Sequence, residues 1–187
     1  MAKNKNFTVR LRRKRQKRTD YRARKLLILS NKPRLVVRKS LKNISAQIVL
    51  YNPQGDKIVA AASTKELKKL GWNNVNNIPT AYLLGIMIGN KAQKHNIKEA
   101  VLDHGLYPST KGSKIYAVVK GAVDAGLKVP HSKDILPSEE RVHGIHIINH
   151  ATLLKNHPEK LKKHFSKSNP EDMNKKVNEM KLKLMGK

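Results

Sequence analysis

A chain of 187 residues has room for one domain with tails, and its formal net charge of +27, from 40 Lys and Arg against 13 Asp and Glu, points to a polyanionic partner. The absence of cysteine excludes disulfides, thiolate metal sites and cysteine nucleophiles, and fits a reducing cytoplasm. No apolar run suits a signal peptide, and the longest uncharged apolar stretch, 78–89, is short of the roughly 20 residues that span a membrane. The chain is therefore expected to be soluble, with no membrane partner.

The charge is uneven. Residues 1–42 hold 17 Lys and Arg against one acid, residues 43–150 hold 13 against 8, and residues 151–187 hold 10 against 4. The density peaks in RLRRKRQKRTDYRARK, where Arg10, Arg12, Arg13, Lys14, Arg15, Lys17, Arg18, Arg22, Arg24 and Lys25 face only Asp20. Such a run repels itself in water and orders against counter-charge, so it reads as an arm for nucleic acid. Arginine outnumbers lysine in it seven to three, which favours bidentate phosphate contacts and stacking over diffuse attraction. A solvated tail or localisation signal is the plainer alternative. A membrane surface would ask for a Leu, Phe or Trp face that the run lacks.

Thr19 and Asp20 supply a cap and a first-turn acid for a helix over Tyr21–Leu29, which stops before Asn31-Lys32-Pro33. Leu26, Leu27 and Leu29 are predicted to dock it on a core. Three runs with β-branched residues follow, Arg34–Ser40, Ser45–Tyr51 and Lys57–Ala62, with YNPQGD containing a turn, and together they predict an antiparallel meander. Alternation places Arg34 and Arg38 on one face of the first strand. With Lys42 and Gln47 nearby, one face or edge of the sheet is expected to be polar and basic.

Ser63-Thr64-Lys65-Glu66 has the form of a capping box, with Gly71 to end the short helix it starts. Trp72 and the asparagines up to Asn77 read as a polar loop, suited to turns and able to hydrogen-bond RNA. Pro79 suits the first turn of a helix running to about His95, in which Gly85 and Gly89 suggest close packing against a strand. Ala100–Asp103 reads as a short, fully buried strand, and Lys114–Ala125 as a helix closed by Gly126. Ser138–Asn149 has a good helix start but is weakened by Gly144. The last 37 residues, apolar mainly at Val177, Met180, Leu182 and Leu184, read as helical pieces lying on a partner. The fold class is mixed α/β: a three-stranded antiparallel meander extended into a mixed sheet with packed helices, a basic N-terminal arm and a helical C-terminal tail.

His143, His146 and His150 lie at helical spacing, and His157 and His164 continue at intervals of seven. No acidic or cysteine ligand stands beside them at a known spacing, so the pattern favours histidines that contact RNA or stand exposed over a zinc site. Asp103 beside His104 sits where an α/β fold can place a catalytic carboxylate, yet no second acid stands at a matching strand end. No phosphate-cradling glycine loop, nucleophile elbow or HExxH motif occurs, so neither catalysis nor a cofactor is expected. Among binders, a DNA-packing protein would want a dimer or a groove-entering helix. A structured-RNA protein would combine a platform, an arm and few aromatics, as here.

The run RRKRQKRTDYRARKLL, then RLVVRKS with Lys42 and Ile44, Gln47, YNPQGD, GWNN, NIPTAYLLG, EAVLDHGL, GSKIYAVVKGAVDAGL and VPHS resemble, in order from about Arg10 to about Ile147, the large-subunit ribosomal protein family that binds 5S ribosomal RNA. The likeness is closer to its archaeal branch. It implies a non-catalytic α/β body in the central protuberance of the large subunit, with 5S RNA, large-subunit ribosomal RNA and neighbouring ribosomal proteins as partners and no small-molecule substrate. It carries RNA binding onto Arg10, Arg12, Arg13, Arg15, Arg18, Tyr21, Arg22 and Arg24 in the arm, and onto Arg34, Arg38, Ser40, Lys42 and Gln47 on the sheet. Thr19 and Asp20 are assigned to organising the arm. The family often has Ser-Asn-Lys where this chain has Ser40-Leu41-Lys42. The expected division is an arm and anchoring helix over 1–30, a body over 31–150 and a basic extension over 151–187. A general RNA chaperone or nucleic-acid architectural protein is the alternative function.

Overall fold

The computed structural model describes residues 8–72, 76–155 and 172–186. Its centre is a four-stranded sheet in the order β3-β2-β1-β4, formed by β1 (Arg34–Lys39), β2 (Ile44–Leu50), β3 (Lys57–Ser63) and β4 (Val101–Asp103). The three consecutive strands pair antiparallel, as their turns require, and β4 returns parallel to β1. The register opposes Leu35 to Ile48, Val37 to Ala46 and Ala62 to Ala46, which gathers their side chains on one buried face. Arg34, Val36, Arg38 and Gln47 fall on the opposite face by the two-residue period. The mixed α/β class and the meander are therefore as the sequence leads one to expect.

Behind the buried face lies α4 (Ile78–Lys94), with every residue from Ile78 to Gly89 buried. A helix apolar all round belongs inside a protein, and this one packs against both the sheet and α5 (Lys114–Asp124). Gly85 and Gly89 face α5, not a strand: a Cβ on Gly85 would stand 2.2 Å from the Val118 carbonyl oxygen and 2.9 Å from the Gly121 Cα. None of the helices is long and apolar enough to cross a membrane, among the described residues.

Four other expectations are corrected. Trp72 is core, 3% exposed, and its indole N–H donates to Thr80 Oγ1 at 2.8 Å, because the capping box turns the chain inward through α3 (Thr64–Lys69). β4 is only half-buried at Val101 and Leu102, since it is a sheet edge. The Ser138–Asn149 segment is two helices, α6 (Glu139–Val142) and α7 (Ile145–Lys155), parted by Gly144 at φ +77°. Finally, α8 (Met173–Met185) buries Met173, Val177 and Met180 in the chain's own core against α4, so this part of the C-terminal extension lies on the body itself.

The N-terminal segment forms one turn, α1 (Arg12–Arg15), with no buried residue, then α2 (Tyr21–Leu29). Asp20 is the N-cap of α2 itself: its carboxylate accepts from the Arg22 and Ala23 amides at 2.9 and 3.3 Å. The predicted apolar docking of α2 is only partial, with Leu27 and Ile28 half-buried. Leu26 and Leu29 are 69% and 64% exposed, and α2 has no buried residue.

Candidate nucleic-acid interface

Ion pairs tie α2 to the sheet. Arg24 donates to Asp56 Oδ2 at 2.9 Å, and Arg34 NH2 donates to the same oxygen at 2.6 Å. Arg34 NH1 approaches Asp103 Oδ2 at 3.4 Å, while Arg38 NH2 donates to Asp103 Oδ1 at 2.8 Å. Charges thus alternate from the arm helix across the sheet, in the order Arg24, Asp56, Arg34, Asp103, Arg38. Burial pushes the Asp56 carboxyl up, but the hydrogen bonds and charges of Arg34 and Arg24 outweigh it and hold the group below its ordinary value of 3.8.

A carboxyl with a depressed folded value stabilises fully above its unfolded value and loses that contribution as pH falls through the folded one. The arm-to-sheet pair is therefore expected to be intact at about pH 5 and released only in stronger acid. Following the Asp56 carboxyl carbon by NMR from about pH 6 to about pH 2 checks this, and a midpoint above 3.8 would contradict it.

The expected contact residues divide by what they touch. Arg12, Arg13, Arg15, Arg18 and Arg22 are exposed, as is Arg10, and Arg13 Nε donates to Thr19 Oγ1 at 2.8 Å, which braces the arm's bend. Tyr21 is half-buried beside them. A groove of about 460 Å³ between arm and sheet is lined by Arg13, Arg18, Tyr21, Arg24 and Arg38, with Asp56 and Asp103 among its walls. Arg34 departs from the expectation. Its side chain is 3% exposed and holds two internal carboxylates, so its position fits a structural arginine. Arg38 is intermediate: it donates to the Val37 and Asp103 carbonyls at 2.9 and 2.7 Å, yet its side chain remains 41% exposed. Gln47 lines a smaller cleft of about 210 Å³ on the same face.

At the β1–β2 turn, Ser40 Oγ donates to the Asn43 carbonyl at 2.9 Å and accepts from its amide at 3.1 Å. The amide of Asn76 donates to the Ser40 and Leu41 carbonyls, so this asparagine of the predicted polar loop braces the turn. Lys42 and Leu41 stand exposed at its tip, Leu41 by 95%. Two cations that composition does not single out join Lys42 at this end of the sheet. Lys39 lies 5.0 Å from the Tyr107 ring centre, and Lys114, whose ammonium is pushed down by burial and then by the charge of Lys39, donates to Asn76 Oδ1 at 3.1 Å. An anion nearby would relieve that repulsion.

Asp103 has ordinary structural surroundings, whereas the Nδ1 atoms of His143 and His146 are buried with no hydrogen-bond partner among the described residues. Asp103 also accepts from the Gly105 amide at 2.9 Å, so its carboxylate is occupied by arginines and backbone. His143 ends α6 while His146 and His150 belong to α7; His143 lies 3.8 Å from Glu139, whose carboxylate is held by Lys120 at 2.6 Å. His157 and His164 lie outside the described residues. Among the described residues no group of three His, Cys, Asp or Glu is placed to hold a metal ion.

Comparison with known proteins places the sequence in a family. The sequence model described as "Ribosomal large subunit proteins 60S L5, and 50S L18" matches residues 5–98 and 91–132. The "Large ribosomal subunit protein uL18" of Methanococcus maripaludis is 48% identical over 99% of this chain and 99% of its own length. That of Caldivirga maquilingensis is likewise 48% identical, over 100% of this chain and 94% of its own.

Proposed function

Because this chain belongs to the family of ribosomal large subunit proteins 60S L5 and 50S L18, we propose that it binds 5S ribosomal RNA and helps attach it to the large-subunit ribosomal RNA in the central protuberance. Family membership makes it a structural, non-enzymatic component of the large subunit in the cytoplasmic ribosome, with ribosomal RNA and ribosomal proteins as its partners. The observation that carries the finer reading is the continuity of two cationic surfaces across one groove. Exposed arginines of the arm, at Arg13 and Arg18, line the same groove as Arg38 of the sheet.

In this reading Arg10, Arg12, Arg13, Arg15, Arg18 and Arg22 neutralise phosphates, Arg24 adds to them only through the part of its side chain left exposed beside Asp56, and Tyr21 contributes a stacking or hydroxyl contact. Arg38, Ser40, Lys42 and Gln47 fix orientation, joined by Lys39 and Lys114. Arg34 supports these residues from below. Residues 1–30 act as the arm, 31–150 as the body and 151–187 as a basic extension whose α8 is docked on that body. Phosphate contacts supply most of the affinity, and the shape of the cationic surface supplies selectivity.

The test is binding to 5S RNA and to an equally long unrelated structured RNA across a salt series. Selectivity for 5S RNA is expected to persist toward physiological salt as the general electrostatic attraction falls. If the two RNAs become indistinguishable, the chain is a general basic binder, as an RNA chaperone would be. Arg13→Ala is expected to weaken binding and flatten the salt dependence by about one ion equivalent with no change in the thermal melt. Its side chain is exposed and, among the described residues, hydrogen-bonds only Thr19.

A further inference from the structure

We propose that Asp56, which with Asp20 and Asp103 lines a groove also walled by four arginines, is a positioning residue for RNA binding: it holds Arg24 and thereby sets the angle between arm and sheet before RNA arrives. The inference rests on the reading that this groove binds RNA.

Three observations support it. First, α2 has no fully buried residue, its apolar contact being limited to half-buried Tyr21, Leu27 and Ile28, and the Arg24 to Asp56 bond joins two segments 32 residues apart. Second, Asp56 is itself immobilised. The Gly55 amide donates to the Asn52 carbonyl at 3.0 Å, Asn52 Oδ1 accepts from the Gln54 amide at 3.1 Å, and β3 begins at Lys57, so the residue is clamped between a tight turn and a strand. On its other side Arg34, rooted in β1 and 3% exposed, donates to the oxygen that Arg24 uses. Arg24 therefore docks on a fixed point of the sheet. Third, the groove walls come from both sides of this bond: Arg13, Arg18 and Arg24 from the arm, Arg38 and Gly105 from the body. Releasing Asp56 would separate the two walls.

A carboxylate facing a polyanion opposes binding by its charge. This gives the proposal a distinctive sign. If Asp56 were a bystander, Asp56→Asn would remove a repulsive charge and tighten RNA binding. As a positioning residue, its loss is expected to weaken 5S binding about tenfold or more, because preorganisation is lost. Affinity for the unrelated structured RNA should stay unchanged or rise, and Asp56→Glu should recover part of the 5S affinity.

The chain has no native cysteine, so spin labels can be placed singly at Leu29→Cys on α2 and Lys128→Cys on the body. In RNA-free protein the distance distribution between them is expected to be narrow in the parent and broad in Asp56→Asn. Arg24→Gln, which cuts the same bond without touching buried Arg34, should broaden it too and guards against misfolding of the first variant. Tighter or unchanged 5S binding by Asp56→Asn, or narrow distances in both variants, would overturn the proposal. If the parent shows no preference for 5S RNA, the functional reading fails, while the distances still judge the positioning role.

Discussion

Gly121→Ala is expected to destabilise the fold by about 3 kcal/mol, although alanine is the better helix former. Gly121 lies in the middle of α5, where replacing glycine at an exposed site gains about 1 kcal/mol. Here the added Cβ would stand 2.1 Å from the Tyr82 carbonyl oxygen, 2.9 Å from the Ile86 amide nitrogen and 3.0 Å from the Gly85 Cα. All three are backbone atoms of α4, so no side chain can rotate away. The helices must separate, which loosens contacts along α4, the helix that also supports the sheet and α8. Gly85→Ala meets the same interface from the other side, 2.2 Å from the Val118 carbonyl oxygen, and should cost a similar amount. Since both changes relieve themselves by the same helix separation, the double variant should cost clearly less than the two single changes added together. Urea unfolding of the four proteins measures this, and a neutral or stabilising Gly121→Ala would refute the close approach of α4 and α5.

That approach shows where sequence reasoning stops. Two glycines four apart in an apolar helix announce that something comes close, but their spacing does not say whether the neighbour is a strand or another helix. Features whose partners are local are legible. Ser63 and Glu66 lie three residues apart and form the capping box, Pro79 sits in the first turn of α4, and Gly126 takes φ +95° just after α5. The strands are legible because β-branched runs alternate with the period of a pleat. Trp72 is not, because its asparagine-rich surroundings suggest a loop, whereas its environment is set by Thr80 in the first turn of the next helix.

The same limit governs the interface. The density of arginine leads one to expect a polyanion-binding arm, but a formal charge count treats all guanidiniums alike. Which ones are available depends on acids distant in sequence: Asp56 for Arg24, and Asp56 with Asp103 for Arg34. Asp103 is 69 residues from Arg34 and reaches it only because β4 returns parallel beside β1. No local pattern contains that pairing. The acids read most naturally as turn and strand-end residues, and their part in shaping the cationic groove emerges only from the sheet order.

Arg34→Ala is expected to cost about 3 to 5 kcal/mol, the usual effect of removing one member of a buried ionic network. For a chain of this size the melting temperature should fall by roughly 6–15 °C. The cost arises less from the lost attraction than from what remains. Asp103, with its side chain 10% exposed, and Asp56, at 24%, would keep their charges in a poorly solvated site without the guanidinium that faces both. Arg34 Nε has no hydrogen-bond partner among the described residues, so the network there leaves a donor unpaired, and its net contribution to stability is smaller than the penalty for breaking it. Arg34→Lys should fall between the two, since one ammonium replaces a fork that reaches Asp56 and Asp103 through separate nitrogens. Loss of 5S binding by Arg34→Ala should therefore follow the unfolded fraction and be restored at low temperature or with stabilising osmolyte, whereas the loss caused by Arg13→Ala should not. A stable Arg34→Ala protein with selectively weakened RNA binding would instead make Arg34 a contact residue and would show that RNA opens the ionic network to reach it.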